Sequence, residues 1–181
     1  VDGNHENFDR LKEYPEERWN GGKVHRIRPS VFHLMRGQVF QLNEKKIFVF
    51  GGASSHDIDG GILETEDPHF KKKRKALDEE GKSYRINHVS WWKEEAEEME
   101  EGRCNLQRVD DKVDFIVTHC CASSTQLLLG HGNYQLDILT AYLEEIRQAV
   151  QFKKWFFGHY HDNQNVSAKE ILLYEQMIRI S

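Results

Sequence analysis

A chain of 181 residues with 38% hydrophobic and 30% charged side chains has enough apolar material for one core and enough charge for a wetted surface. Its formal net charge of -5 excludes an overall pull toward nucleic acid or an anionic membrane, so a site for a phosphorylated ligand must bring its own local positive charge. The longest apolar runs, such as Ile47-Phe48-Val49-Phe50, are strand-sized, far short of the roughly 18 residues of a membrane-crossing helix, and three cysteines, two of them adjacent (Cys120 and Cys121), make no disulfide framework, so a reducing, cytoplasmic setting is expected.

Gly3-Asn4-His5 reads as a turn, followed by helical character over 7–13 with Phe8 and Leu11 on one face. A turn that opens a helix ordinarily receives a strand from upstream, so the chain is expected to begin in mid-fold. Residues 24–50 read as β-structure, with runs at 24–28, 31–36, 38–42 and 46–50; Asn43-Glu44 marks a hairpin turn and Gly51-Gly52 ends the last run. Residues 57–83 read as an exposed excursion with a short helix. Its basic run at 71–75 is expected to be a solvated face rather than a nucleic-acid contact, given the acidic residues around it. Ser90 is the expected N-cap of a helix reaching about Glu101. A buried-type strand at 114–117, an amphipathic helix at 135–150, a short strand at 153–157 and one or two closing strands in 170–180 complete the pass. A strand meander beside strands that alternate with helices predicts a single layered α/β domain over 1–181.

Three histidine-bearing segments carry the chemistry: Gly3-Asn4-His5-Glu6, Thr118-His119, and Gly158-His159-Tyr160-His161. His119 and His159 directly follow apolar strands, and open α/β sheets place their sites beyond the carboxyl ends of strands. Gly158 is expected to let the chain turn sharply, and an extended backbone would send His159 and His161, two apart, into one pocket. Imidazole nitrogens suit Zn, Fe, Ni or Mn, and an asparagine carbonyl adds an uncharged oxygen ligand. Divalent ions polarise a phosphoryl oxygen and lower the pKa of water, while a histidine left unligated can protonate a leaving alkoxide. A lone histidine after a strand is ordinarily just a half-buried, hydrogen-bonded residue; the three segments in this order are what point to metal.

These motifs resemble the calcineurin-like metallophosphoesterase superfamily, whose ordered motifs are Asp-x-His, Gly-Asp-x-x-Asp, Gly-Asn-His-(Asp/Glu), (Gly/Thr)-His and Gly-His-x-His. The last three are present from Gly3 onward. Gly51-Gly52-Ala53-Ser54-Ser55, Tyr84-Arg85 and Ser90-Trp91-Trp92 look like its bacterial and phage-type branch. The resemblance implies a layered α/β/β/α sandwich, here without its N-terminal strand-helix segment. It implies Asn4, His119 and His159 as ligands of one metal, His161 as a ligand of the other, and His5 as the unligated acid. It further implies hydrolysis of phosphate mono- or diesters by hydroxide activated between two divalent ions among Mn, Fe, Zn and Ni. The substrate would be a phosphorylated small molecule, protein or nucleotide. The motifs that give the family its bridging Asp do not precede Gly3, so this chain alone is expected to hold one ion or none. A non-catalytic scaffold of the same fold and a nuclease using 71–75 are the alternatives.

Arg85 is open between gripping a phosphate through its planar fork and a surface ion pair. Trp91 and Trp92 are expected to pack rather than stack on a base, Cys120 to serve as a small buried apolar side chain, and His56 and His131 to be exposed loop residues.

Overall fold

The computed structural model describes residues 1–55, 58–93, 97–130 and 136–180. In chain order these form α1 (Phe8–Lys12), β1 (Glu16–Trp19), β2 (Gly22–Arg28), β3 (Val31–Leu34), β4 (Gln38–Leu42), β5 (Lys45–Phe50), β6 (Ile62–Leu63), α2 (Phe70–Glu80), β7 (Arg85–Ile86), α3 (Glu97–Gln107), β8 (Phe115–Thr118), α4 (Ser123–Leu129), α5 (Ile138–Ala149), β9 (Lys154–Phe157), β10 (Gln164–Asn165) and β11 (Glu170–Leu172). The class is mixed α/β, as expected.

Six strands form the main sheet in the order β10-β11-β9-β8-β5-β4. The four inner strands run parallel, and the edge strands β4 and β10 run antiparallel to their neighbours. Inner strands of a parallel sheet are covered on both faces, which is why they read as unbroken apolar runs. Their side chains still divide by a period of two. Phe48, Phe50, Ile116, Trp155, Phe157 and Leu172 join Met99 and Leu106 of α3 and Leu139, Tyr142, Leu143 and Ile146 of α5 in one core. Ile47, Val49, Phe115, Phe156 and Ile171 join Val24 and Phe40 in the other, with Trp19, Phe32 and Leu34 packed against it. The second core is therefore roofed by the separate three-stranded sheet β1-β2-β3, and the layers run helices, sheet, sheet.

Local signals explain most boundaries. Asn7 caps α1 by accepting from the Arg10 amide at 2.9 Å. Asp137 and Thr140 form a reciprocal capping box at the start of α5. Asn43 and Glu44 both adopt positive φ, 46° and 64°, as a tight hairpin between β4 and β5 requires. In the excursion, α2 is a solvated face as expected: Lys73 pairs with Asp67 at 2.6 Å and Lys75 approaches Glu79 at 3.6 Å.

Some expectations are corrected. Ser90 does not cap a helix; its hydroxyl accepts from the Ile86 amide at 2.9 Å and closes a turn, and α3 starts at Glu97, with 94–96 outside the described residues. Trp92 packs edge-on against Phe8 and donates to Asp9, which His88 also engages at 2.9 Å, tying the excursion to α1. Beyond Leu172 the apolar residues to Ile180 form no strand. The expected helix start at Gln135, and His56 and His131, lie outside the described residues. Cys120 and Cys121 are buried, and no described helix is long and apolar enough to cross a membrane.

The start of β11 is pinned by a buried carboxylate. Glu170 accepts from Thr125 Oγ1 at 2.6 Å, Ser167 Oγ at 3.0 Å and Arg147 Nε at 3.1 Å. Burial alone would push its pKa up, but these donors outweigh burial and hold it below the ordinary carboxylate range. The ionised form therefore stabilises the fold above the unfolded carboxylate pKa, and that stability is lost as pH falls through the lower folded value. Glu170→Gln is expected to cost roughly 2–3 kcal/mol at pH 7. In urea unfolding the gap from the parent chain should close as pH is lowered past the ordinary glutamate range.

Candidate metal centre

β5, β8 and β9 end in register. Phe50 lies beside Thr118, and Thr118 beside Phe157. The chain leaves each strand at the same edge of the sheet, through Gly51, His119 and Gly158. The backbone keeps these exits together: the His119 amide donates to the Phe50 carbonyl at 3.2 Å, and the Gly158 amide donates to the His119 carbonyl at 3.0 Å. Behind His119, Trp155 Nε1 donates to Thr118 Oγ1 at 2.8 Å, and that hydroxyl donates to the Cys120 carbonyl, fixing the first turn after β8.

Onto this edge comes the segment of Gly3 and Asn4. Asn4 Oδ1 lies 3.1 Å from His119 Nε2, and Asn4 Nδ2 points the other way, toward Ser55 Oγ at 3.4 Å. The His119 and His159 rings meet edge to face, 5.1 Å between centroids. Three residues singled out in the sequence thus converge: Asn4, His119 and His159, all half-buried. Gly3 permits it, because a Cβ there would press to 3.1 Å on the His119 ring. Burial lowers the His119 pKa, Asp2 opposes this, and His5 and His161 lower it further. His119 is therefore neutral at neutral pH, with a lone pair to offer a metal.

His5 and His161 are exposed, and the His161 ring stacks on Tyr174 at 5.3 Å. The expected extended geometry of 159–161 is corrected. His159 and His161 both take left-handed backbone conformations, φ 71° and 52°, which L side chains rarely adopt and which cluster at functional sites. The sharp turn lies at these histidines and not at Gly158, where φ is not positive and a Cβ would make only ordinary contacts, 3.6 Å at the nearest. Between them, Tyr160 anchors the loop inward, its hydroxyl 3.3 Å from Cys120 Sγ and 3.4 Å from Cys121 Sγ. Burial drives the phenol pKa far up, so it stays neutral.

Arg85 begins β7 and so belongs to the two-stranded sheet of the excursion, half-buried. Its amide donates to the Gly61 carbonyl at 3.2 Å.

Sequence reasoning missed the support beneath the Gly3-Asn4 turn. Asp2 is buried, its carboxylate accepting from Arg36 Nε at 2.8 Å and from His33 Nε2 at 2.9 Å. Its carbonyl accepts from the Gly52 amide at 3.2 Å. Burial works against the charge on Asp2, yet His33 and Arg36 hold its pKa below the ordinary range. A Cβ on Gly51 would collide with this carboxylate, so the glycine after β5 is what admits Asp2. The pairing of Asp2 with Arg36 spans 34 residues, beyond the reach of local sequence patterns.

The donor set suits a borderline divalent cation: an amide oxygen and two imidazoles. Among the described residues, no group of three or more His, Cys, Asp or Glu side chains stands gathered to hold a metal.

No family model, no curated protein and no solved structure matches this chain.

Arg36→Met would leave Asp2 as a buried carboxylate with His33 alone, which is expected to cost about 3–5 kcal/mol in chemical unfolding.

Proposed function

We propose that this chain serves metal-dependent hydrolysis of phosphate mono- or diesters, in the manner of the calcineurin-like metallophosphoesterases. The observation that supports this best is the convergence of Asn4, His119 and His159, from three distant segments, at the carboxyl edge of the parallel strands. A divalent cation, when bound, supplies Lewis-acid activation of a phosphoryl oxygen and of water. Asn4, His119 and His159 would hold one such ion, with His161 offered to a second. Mn, Fe, Zn and Ni all suit these donors.

The chain's own residues supply the rest. His119 stays neutral because burial and its neighbours oppose a second proton. His5, exposed and next to Asn4, is proposed to donate a proton to the departing alkoxide. Ser55 turns the Asn4 carbonyl oxygen toward His119 by taking the amide nitrogen as its donor. The finer fold reading is the calcineurin-like layered α/β/β/α sandwich, here without its N-terminal strand-helix segment. The substrate is proposed as a phosphorylated small molecule, protein or nucleotide, and the setting as cytoplasmic.

One observation favours a second reading, a non-catalytic scaffold that binds one metal or none: the described donors include no gathered carboxylate. The two readings separate in one experiment. The chain, and a form carrying whatever its gene encodes upstream of Val1, are assayed for bound metal and for hydrolysis of chromogenic phosphomonoesters and phosphodiesters with Mn2+. Hydrolysis that falls roughly 10²–10⁴-fold in His5→Ala without loss of metal supports the enzyme with His5 as acid. His119→Ala and His159→Ala should lose metal and activity together. Two metal-free, inert proteins would leave the scaffold reading.

A further inference from the structure

The edge of the main sheet at β4 holds a polar recess that the phosphoesterase reading does not use. β4 is an edge strand, and the turn between β1 and β2 hangs over it: the Gln41 amide donates to the Asn20 carbonyl at 2.8 Å. Asn20 and Gly21 take left-handed conformations, φ 47° and 95°, as the two-residue turn between Trp19 and Gly22 requires. Val39 of β4 and Phe48 of β5 are paired and join the core with Met99 and Leu106 of α3. Gln41 and Lys46, paired two residues further on, share that face. Between the turn, β4 and the end of α3 lies a cavity of about 280 Å³.

Its lining is strongly cationic. Arg18 of β1, Lys46 of β5 and Arg108 just past α3 all face it, and among the described lining residues Glu101 is the one carboxylate. Glu101 is already answered by Lys23 at 2.7 Å. Burial opposes the charge on Glu101, yet Lys23 and Gln38 hold its pKa below the ordinary range, with Arg108 adding to the effect. Counting Lys23, four cations therefore meet one carboxylate. Arg108 is steadied rather than neutralised: its Nη1 donates to Asn105 Oδ1 at 2.8 Å, while Asn105 Nδ2 donates to the Gly37 carbonyl at 2.9 Å. Among the described residues, the Arg18 and Lys46 side chains make no ion pair or hydrogen bond. In a chain of net charge -5, cations from three separate elements thus share one recess without carboxylates of their own. Their mutual repulsion is what an anion placed among them relieves.

We propose that this recess is a binding site for a small soluble polyanion carrying phosphate or carboxylate groups. Arg18 and Arg108 hold its oxygens through their planar forks, Lys46 adds a point charge, and Asn105 positions Arg108. The site is a ligand site apart from the candidate metal centre. Lys46 stands at the start of β5 and Gly51 follows its end, about 17 Å of strand away. Neither the residues nor the argument depends on the phosphoesterase reading.

The test is calorimetric titration of the chain, stripped of metal on a chelating resin, with pyrophosphate in one arm and citrate in the other. At low ionic strength one equivalent of at least one of them should bind, the tighter of the two naming the ligand class, and added salt should weaken it. Arg18→Gln and Arg108→Gln, both at exposed positions, should each weaken binding about tenfold. Lys72→Gln, on the solvated face of α2, makes the same change in net charge and should leave binding as it was. In the parent chain the side-chain 1H–15N resonances of Arg18 and Arg108 should move together with the bound anion, a readout that stands even where a variant fails to fold. No saturable binding of either anion, binding that leaves both arginine resonances unmoved, or binding that Lys72→Gln weakens as much as Arg108→Gln does, overturns the proposal.

Discussion

The candidate centre depends first on the parallel register of β5, β8 and β9. Parallel strands in register end at one edge, so any residue that directly follows one strand is a neighbour of the residue that follows the next. Phe50, Thr118 and Phe157 stand side by side, and the sequence places Gly51, His119 and Gly158 immediately after them. A slip of one residue in β8 would send Phe115 and Ile116 to the wrong cores and carry His119 away from His159. Packing on both faces of the sheet thus fixes the site's geometry before any polar contact is made.

Polar contacts then complete what packing begins. The Gly3-Asn4 turn is carried by a single buried carboxylate, which reaches Arg36 and His33 just before β4 and within β3. That carboxylate fits only because Gly51 has no side chain. The 159–161 loop is held differently. Its two histidines sit in a costly left-handed conformation, of order 1–3 kcal/mol each, offset by the inward anchoring of Tyr160 against Cys120 and Cys121. One loop is seated by charge and the other by an aromatic wedge, and between them they bring Asn4 and His159 to His119.

How much of this was legible depended on the range of the interaction. The inner strands and α5 were legible because local apolar periodicity marks them, whereas the capping box at Asp137 that opens α5 was not read. The convergence of Asn4 with His119 was legible only through motif order, since 115 residues separate them. The split of the early β-region into two sheets was not legible, because β3 and β4 both read as ordinary strands and only the packing of Val24 and Phe40 assigns them. Ser90 misled because a serine before apolar residues signals a turn as well as a helix cap, and its hydroxyl found the Ile86 amide. Gly158 misled because glycine is only a permission; the backbone spent its strain on the histidines that follow.

The electrostatics favour a cation on the proposed reading. A phosphate ester brings negative charge to an edge whose nearest described donors are an amide and imidazoles. Burial and neighbouring histidines oppose protonation of His119, so that ring cannot supply the positive charge itself near neutral pH. Asp2, the nearest buried carboxylate, is already neutralised by Arg36, so the arginine is not available to the ester. The chain as a whole is acidic, with a net charge of -5. An anionic substrate would therefore meet little attraction from these residues alone, whereas the same neutral lone pairs are suited to a divalent ion. On that reading, the features that make the edge a poor anion site without metal are the features that would suit it to a metal ion.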